Sequence, residues 1–171
     1  DGEVRAVRFR DGGTEWKRRV GPVPTPLAFR DGTLYGLAAG GVAFALDAGE
    51  GRERWRTSLT TRRGRAWGPL VSGDRVYVAT SADSLYALDR ATGRVLHRTG
   101  LPAHAVEMPA LAGDAVVVPL ARGILAAYDT GDLRPRWQTG GFDAWAGGVA
   151  VAGDEVYAVT RTGRVVGVRT T

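Results

Sequence analysis

The chain has 171 residues, 44% of them hydrophobic and 24% charged, with a formal net charge of +5. That length suits one domain with a substantial core, or a section of a larger one. No apolar run approaches the roughly 18 residues of a membrane-spanning helix, and the absence of Cys excludes disulfides, Cys-ligated zinc, iron–sulfur clusters and thiol catalysis.

The 25 Gly and the lack of runs rich in Ala, Leu, Glu and Lys indicate an all-β chain. Lys17 is the single lysine against 22 Arg; Asn is missing and Ile124 is the lone Ile. Those three residue types have A/T-rich codons, so a GC-rich, bacterial genome accounts for the Arg excess. Arg62, Arg63 and Arg65 form one local basic cluster, but no RNA-recognition or DNA-reading element accompanies it, and no nucleic-acid partner is expected. The chain opens on Asp1-Gly2-Glu3, with neither an initiator Met nor a basic-to-apolar leader, and so reads as cut from something longer.

Taken in chain order, the strand signals recur. A strand near Val4 to Arg8 is followed by one over 14–19 that carries Trp16. Strands are then predicted at 33–38, 42–47 and 53–57, the last with Trp55. The next set is 69–72, 75–80, 84–89 and 94–98, the last with His97. Strands at 115–119, 124–129 and 134–138 follow, with Trp137, and the chain closes on 155–160 and 165–169. Gly73-Asp74-Arg75-Val76-Tyr77, Gly113-Asp114-Ala115-Val116-Val117 and Gly153-Asp154-Glu155-Val156-Tyr157 recur at a spacing of 40. Phe44-Ala45-Leu46-Asp47, Tyr86-Ala87-Leu88-Asp89 and Ala126-Ala127-Tyr128-Asp129 recur in phase with them. A period near 40 with four strands per unit is a propeller blade. The repeats run approximately 1–29, 30–70, 71–110, 111–150 and 151–171, giving two strands, three sets of four, and three strands.

The turn Asp89-Arg90-Ala91-Thr92-Gly93 illustrates the local physics. An Asp carboxylate accepts bonds from amides two residues on, and Gly93 supplies a positive φ for re-entry into the next strand. Asp47, Asp89 and Asp129 are therefore expected to build turns.

The stretch from Ala87 through Asp89, Thr92 and Gly93 to His97 resembles the A-x-D-x-x-T-G-x-x-x-W tryptophan-docking motif of the PQQ-like (pyrroloquinoline-quinone-type) repeat propellers, with His in place of Trp. Ala45 to Trp55 and Ala127 to Trp137 match in part, and Ala6 to Trp16 lacks the Asp. The resemblance covers essentially the whole chain. It implies an all-β propeller of four-stranded blades, about four of them present out of a seven- or eight-bladed ring. It also implies that Trp16, Trp55 and Trp137 wedge between blades and that His97 is a packed substitute. On that motif, His97→Trp is expected to be tolerated or stabilising.

Catalytic signatures are missing: no H-E-x-x-H, EF-hand loop, phosphate-binding loop or G-x-S-x-G occurs. Quinoprotein dehydrogenases of this resemblance hold quinone and calcium partly through Asn, commonly beside a vicinal Cys pair, and this chain has neither residue type. No cofactor, metal or catalytic residue is therefore expected. Binding candidates lie on the segments joining one blade to the next, at the channel mouth: Arg62, Arg65, Trp67, His104, Glu107, Met108, Asp143 and Trp145. Trp67, Met108 and Trp145 are expected at equivalent places just before the innermost strands, either as a binding rim or as a plug that caps the blades. The resemblance implies a binding, scaffold or sensor module for a protein or small-molecule ligand. Envelope assembly scaffolds and sensory parts of bacterial Ser/Thr kinases are its precedents, and a piece of a quinoprotein dehydrogenase is the alternative. It favours a cell-envelope location. In isolation, a half-ring is expected to dimerise, or to close on itself by adding strand 14–19 to the last blade.

Overall fold

The computed structural model describes residues 2–59 and 65–169. The first sheet pairs β1 (Glu3–Val7) with β2 (Thr14–Arg19). Three four-stranded antiparallel sheets follow. They are β3 (Ala28–Arg30), β4 (Thr33–Ala38), β5 (Val42–Asp47) and β6 (Glu53–Ser58); then β7 (Ala66–Ser72), β8 (Arg75–Thr80), β9 (Ser84–Asp89) and β10 (Val95–Gly100); then β11 (Ala110–Ala112), β12 (Ala115–Leu120), β13 (Ile124–Asp129) and β14 (Pro135–Thr139). The last sheet holds β15 (Ala150–Ala152), β16 (Glu155–Val159) and β17 (Val165–Arg169). Each sheet is a meander in sequence order, as the repeat predicts. β2 is hydrogen-bonded to β1 and not to β17, so the self-closing arrangement is not adopted.

The middle strands are apolar through their interiors, with polar residues confined to their ends, because each blade is covered on both faces; the strand period of two divides their side chains between two joints. In the second full blade, Val76, Val78 and Leu88 pack back against Tyr35, Leu37 and Trp55. Tyr77, Ala79, Leu85 and Ala87 pack forward against Val116, Val118 and Tyr128. In the last sheet the backward residues Val156 and Ala158 are buried, whereas Tyr157, Val159 and Val165 on the other face are exposed. A sequence pattern suited to cover on both sides thus has one side open at the last sheet.

The two ends of the blades differ in construction. One end carries the short turns joining the first to the second strand and the third to the fourth; here it is called the turn end. The other carries the turns joining second to third strands and the longer segments leading to the next blade, and is called the loop end. One short 3-10 turn, Ala121–Gly123, lies at the loop end.

Candidate functional site

The turn end is tied shut. Oδ1 of Asp47 accepts the Gly49 amide at 2.9 Å and the Glu50 amide at 3.0 Å, while Arg54 donates to Oδ2 at 2.7 Å. Asp89 accepts the Thr92 amide at 2.8 Å and the Thr92 hydroxyl at 2.7 Å. Asp129 accepts the Gly131 amide at 2.6 Å and pairs with Arg136, which also holds Asp114. Arg136 followed by the Gly131 amide holds the Asp129 carboxyl low, Arg54 followed by the Glu50 amide does so at Asp47, and the Thr92 hydroxyl and amide do so at Asp89. Carboxyls depressed on folding contribute stability that is complete above the ordinary Asp range and is lost as pH falls through the lower folded values. Thermal unfolding should therefore be flat from neutrality to about pH 5 and fall below about pH 4. Asp89→Asn should lower the Tm at neutral pH and shrink the acid loss; an unchanged acid profile would remove this turn from the account.

The docking tryptophans close the same end. Trp16 donates its indole N–H to the Ala48 carbonyl and Trp55 donates to the Arg90 carbonyl, each at 2.9 Å and each reaching the next blade. Each ring lies on a glycine of that turn. Gly51 and Gly93 have φ of +66° and +72°, and a Cβ on Gly93 would stand 2.5 Å from the Trp55 ring. Glycine is thus required twice over, for the left-handed backbone and for the close approach.

The His97 joint is built differently. By the repeat, residue 97 should reach Thr130, the residue after Asp129. The Thr130 carbonyl is instead taken by the Arg75 guanidinium at 2.8 Å and the Tyr77 hydroxyl at 2.9 Å, and Arg75 also bonds the Gly131 carbonyl. Burial raises the Tyr77 phenol, which keeps it a donor at neutral pH. The position of Gly51 and Gly93 is filled here by Leu133, with φ of +59° and 1% exposure. Left-handed backbone costs a leucine about 1–2 kcal/mol, and full burial of its side chain offsets that by about 1.5–3 kcal/mol. His97 is half-buried. The sequence carries the matching signal: the Ala127 to Trp137 copy of the motif lacks the central Gly, and Leu133 stands in its place. Trp137 is part-buried in the next joint, against the last sheet.

The loop end is open. Arg62 lies outside the described residues. Arg65 is exposed, and among the described residues neither it nor Arg122, Arg161 and Arg164 at the same end has an ion pair. At the turn end Arg54, Arg75, Arg90 and Arg136 each pair with a carboxylate. His104 is exposed and Glu107 part-buried. Asp143 is exposed and accepts the Thr162 hydroxyl at 2.7 Å.

Trp67, Met108 and Trp145 do not occupy equivalent places. Trp145 bridges Thr160 as Ala105 bridges Leu120 and as Ala66 pairs with Thr80, so Trp67 lies one residue further on. One residue along a strand reverses the face. Trp67 accordingly reaches forward, donating to the Ala105 carbonyl at 2.9 Å, and Trp145 reaches back to the Ile124 carbonyl at 3.0 Å. The Met108 sulfur accepts the Gly68 amide at 3.1 Å. All three side chains clamp neighbouring segments. Among the described residues no three His, Asp or Glu side chains gather as a metal site, and no helix is long and apolar enough to cross a membrane.

A family described as "Outer membrane protein assembly factor BamB" matches residues 1–171. The chain belongs to this family of PQQ-like repeat propellers. It is 31% identical to outer membrane protein assembly factor BamB of Alkalilimnicola ehrlichii over 99% of the chain and 44% of that protein. It is 29% identical to the quinohemoprotein alcohol dehydrogenase ADH IIB of Pseudomonas putida, over 80% of the chain and 24% of the enzyme. It is 32% identical to the serine/threonine-protein kinase AfsK of Streptomyces griseus, over 65% of the chain and 15% of the kinase. The fold matches the crystal structure of BamB from Moraxella catarrhalis with a TM-score of 0.77 at 18% identity, covering 99% of this chain and 55% of that one. The chain thus spans less than half the length of each of these three relatives.

Proposed function

We propose that the protein is a non-catalytic propeller module that binds a protein partner through its loop end and serves as a scaffold in outer-membrane assembly at the cell envelope. The observation that carries the reading is the contrast between the ends. Arg54, Arg90 and Arg136 of the turn end are held by its own carboxylates, while among the described residues Arg65, Arg122, Arg161 and Arg164 at the loop end are exposed and without an ion pair. An exposed guanidinium with no internal partner is free for a ligand carboxylate or phosphate. The match to BamB-type assembly factors over the whole chain supports the scaffold role and the envelope location.

The dehydrogenase relative favours a second reading, a section of a quinone-dependent oxidoreductase. The lack of Asn and Cys in the chain weighs against it. Titration with pyrroloquinoline quinone and calcium, followed by reduction of an electron-accepting dye with alcohols and sugars, separates the two. The scaffold reading predicts neither stoichiometric binding nor turnover; saturable binding with dye reduction would replace it with the oxidoreductase.

A further inference from the structure

A cavity of about 180 Å³ lies at the turn end between the first and second full blades, lined by Asp31, Thr33, Tyr35, Arg54, Arg90 and Ala91. The repeat explains why the space is there. Thr33 stands where the next joint has Arg75, whose guanidinium crosses to the Thr130 and Gly131 carbonyls. A threonine is too short to do the same. Tyr35 stands where the next joint has Tyr77, whose hydroxyl donates to the Thr130 carbonyl. The counterpart of that carbonyl belongs to Arg90, and the Trp55 indole N–H already occupies it. The Tyr35 hydroxyl is therefore left with no hydrogen-bond partner among the described residues. It is not sealed in. Among the described residues Thr25 Oγ1 is the one buried side-chain polar atom without a partner, so the Tyr35 oxygen, at the tip of a buried ring, opens into the cavity. The mouth is accessible, since the Asp31 side chain on its rim is 69% exposed.

Each charge that lines the cavity is already paired with its opposite. Arg90 donates to Asp31 across the joint at 2.6 Å, and Arg54 donates to Asp47 at 2.7 Å. Each guanidinium uses one nitrogen in this way, and its other two bond nothing among the described residues. The walls thus offer donors, a carboxylate acceptor and a hydroxyl that acts as both, with neither sign in excess. A charged ligand would lose its water here without gaining a counter-charge of its own. A neutral ligand whose groups both donate and accept suits the set, and a hydroxyl is such a group. The volume equals about six waters at about 30 Å³ each, the room of one six-membered sugar ring. We propose that this cavity binds a single neutral sugar unit, its ring hydroxyls donating to Asp31 and accepting from Arg54, Arg90 and the Tyr35 hydroxyl. The site is separate from the loop-end surface and does not rest on the protein-binding reading.

Ligand-observed NMR titration with the methyl glycosides of glucose, galactose and mannose tests the site. The 6-phosphate and the 2-ammonium analogue of each sugar are the charged comparisons. At least one neutral sugar should bind with a millimolar or lower Kd, and its charged analogues should bind at least about tenfold more weakly. Tyr35→Phe should weaken binding by about threefold to tenfold and leave the Tm unchanged, because its hydroxyl bonds nothing within the protein. Tyr77→Phe at the next joint should do the reverse. It removes a donor from the Thr130 carbonyl, so the Tm should fall while sugar affinity stays the same. Thr33→Arg should abolish binding by filling the cavity as Arg75 fills the next joint; if that variant fails to fold, Tyr35→Phe still decides. No binding of any of the three glycosides, or a charged analogue binding more tightly than its neutral parent, would overturn the proposal. So would equal affinity in Tyr35→Phe and the unsubstituted protein, which would put the sugar elsewhere.

Discussion

Trp55→Ala should lower folding stability by about 3–5 kcal/mol, among the larger effects available to a single core substitution. The ring joins two blades in three ways. It packs among Tyr35, Ala45 and the backward face of the next blade, with the Tyr35 ring centroid at 6.1 Å. It covers Gly93, which has no side chain to fill the space left behind. It also satisfies the Arg90 carbonyl at 2.9 Å. Truncation therefore leaves a cavity and an unpaired acceptor between two sheets, neither of which can move far without disturbing its other joint. Urea unfolding followed by circular dichroism measures the change. A loss below about 1 kcal/mol would mean that the blades are held without the docked ring.

His97→Trp should destabilise, by about 1–3 kcal/mol, and not stabilise as the motif alone predicts. At the other joints the ring lies on Gly51 or Gly93, whereas here a buried Leu133 fills that position, and the Thr130 carbonyl already receives Arg75 and Tyr77. Leu133→Gly alone should cost about 2–5 kcal/mol for the emptied space. The double change His97→Trp with Leu133→Gly rebuilds the arrangement of Trp55 over Gly93. It should be more stable than the sum of the single effects by more than about 1 kcal/mol. A double-mutant cycle in chemical denaturation reads the coupling directly; additive effects would mean that residues 97 and 133 do not share a site.

The fold was legible because one physical unit recurs. Gly-Asp turns, the apolar middle strands and the Trp or His on the outer strand stand in phase, and a one-residue slip would turn a doubly buried strand's side chains onto the wrong joints. Strand ends shifted by only a residue or two, as with 94–98 against Val95–Gly100, because fraying at strand ends is decided by partners the sequence does not name. β7 starts three residues earlier than predicted because an irregularity in the pairing between Trp67 and Leu70 carries the strand past Pro69. The loop end was less legible. Spacing placed Trp67 and Trp145 at one position, but the ladder sets them on opposite faces.

Carboxylates hold Arg54, Arg75, Arg90 and Arg136 at the turn end, whereas Arg65, Arg122, Arg161 and Arg164 at the loop end stand exposed without an ion pair among the described residues. Phenylglyoxal modification of native protein, followed over time by peptide mass mapping, measures this contrast residue by residue. The account predicts rapid modification at Arg65, Arg122, Arg161 and Arg164, and slow modification at Arg54, Arg75, Arg90 and Arg136, whose guanidiniums are held by carboxylates. Equal rates at both ends, or faster reaction at the turn end, would contradict it.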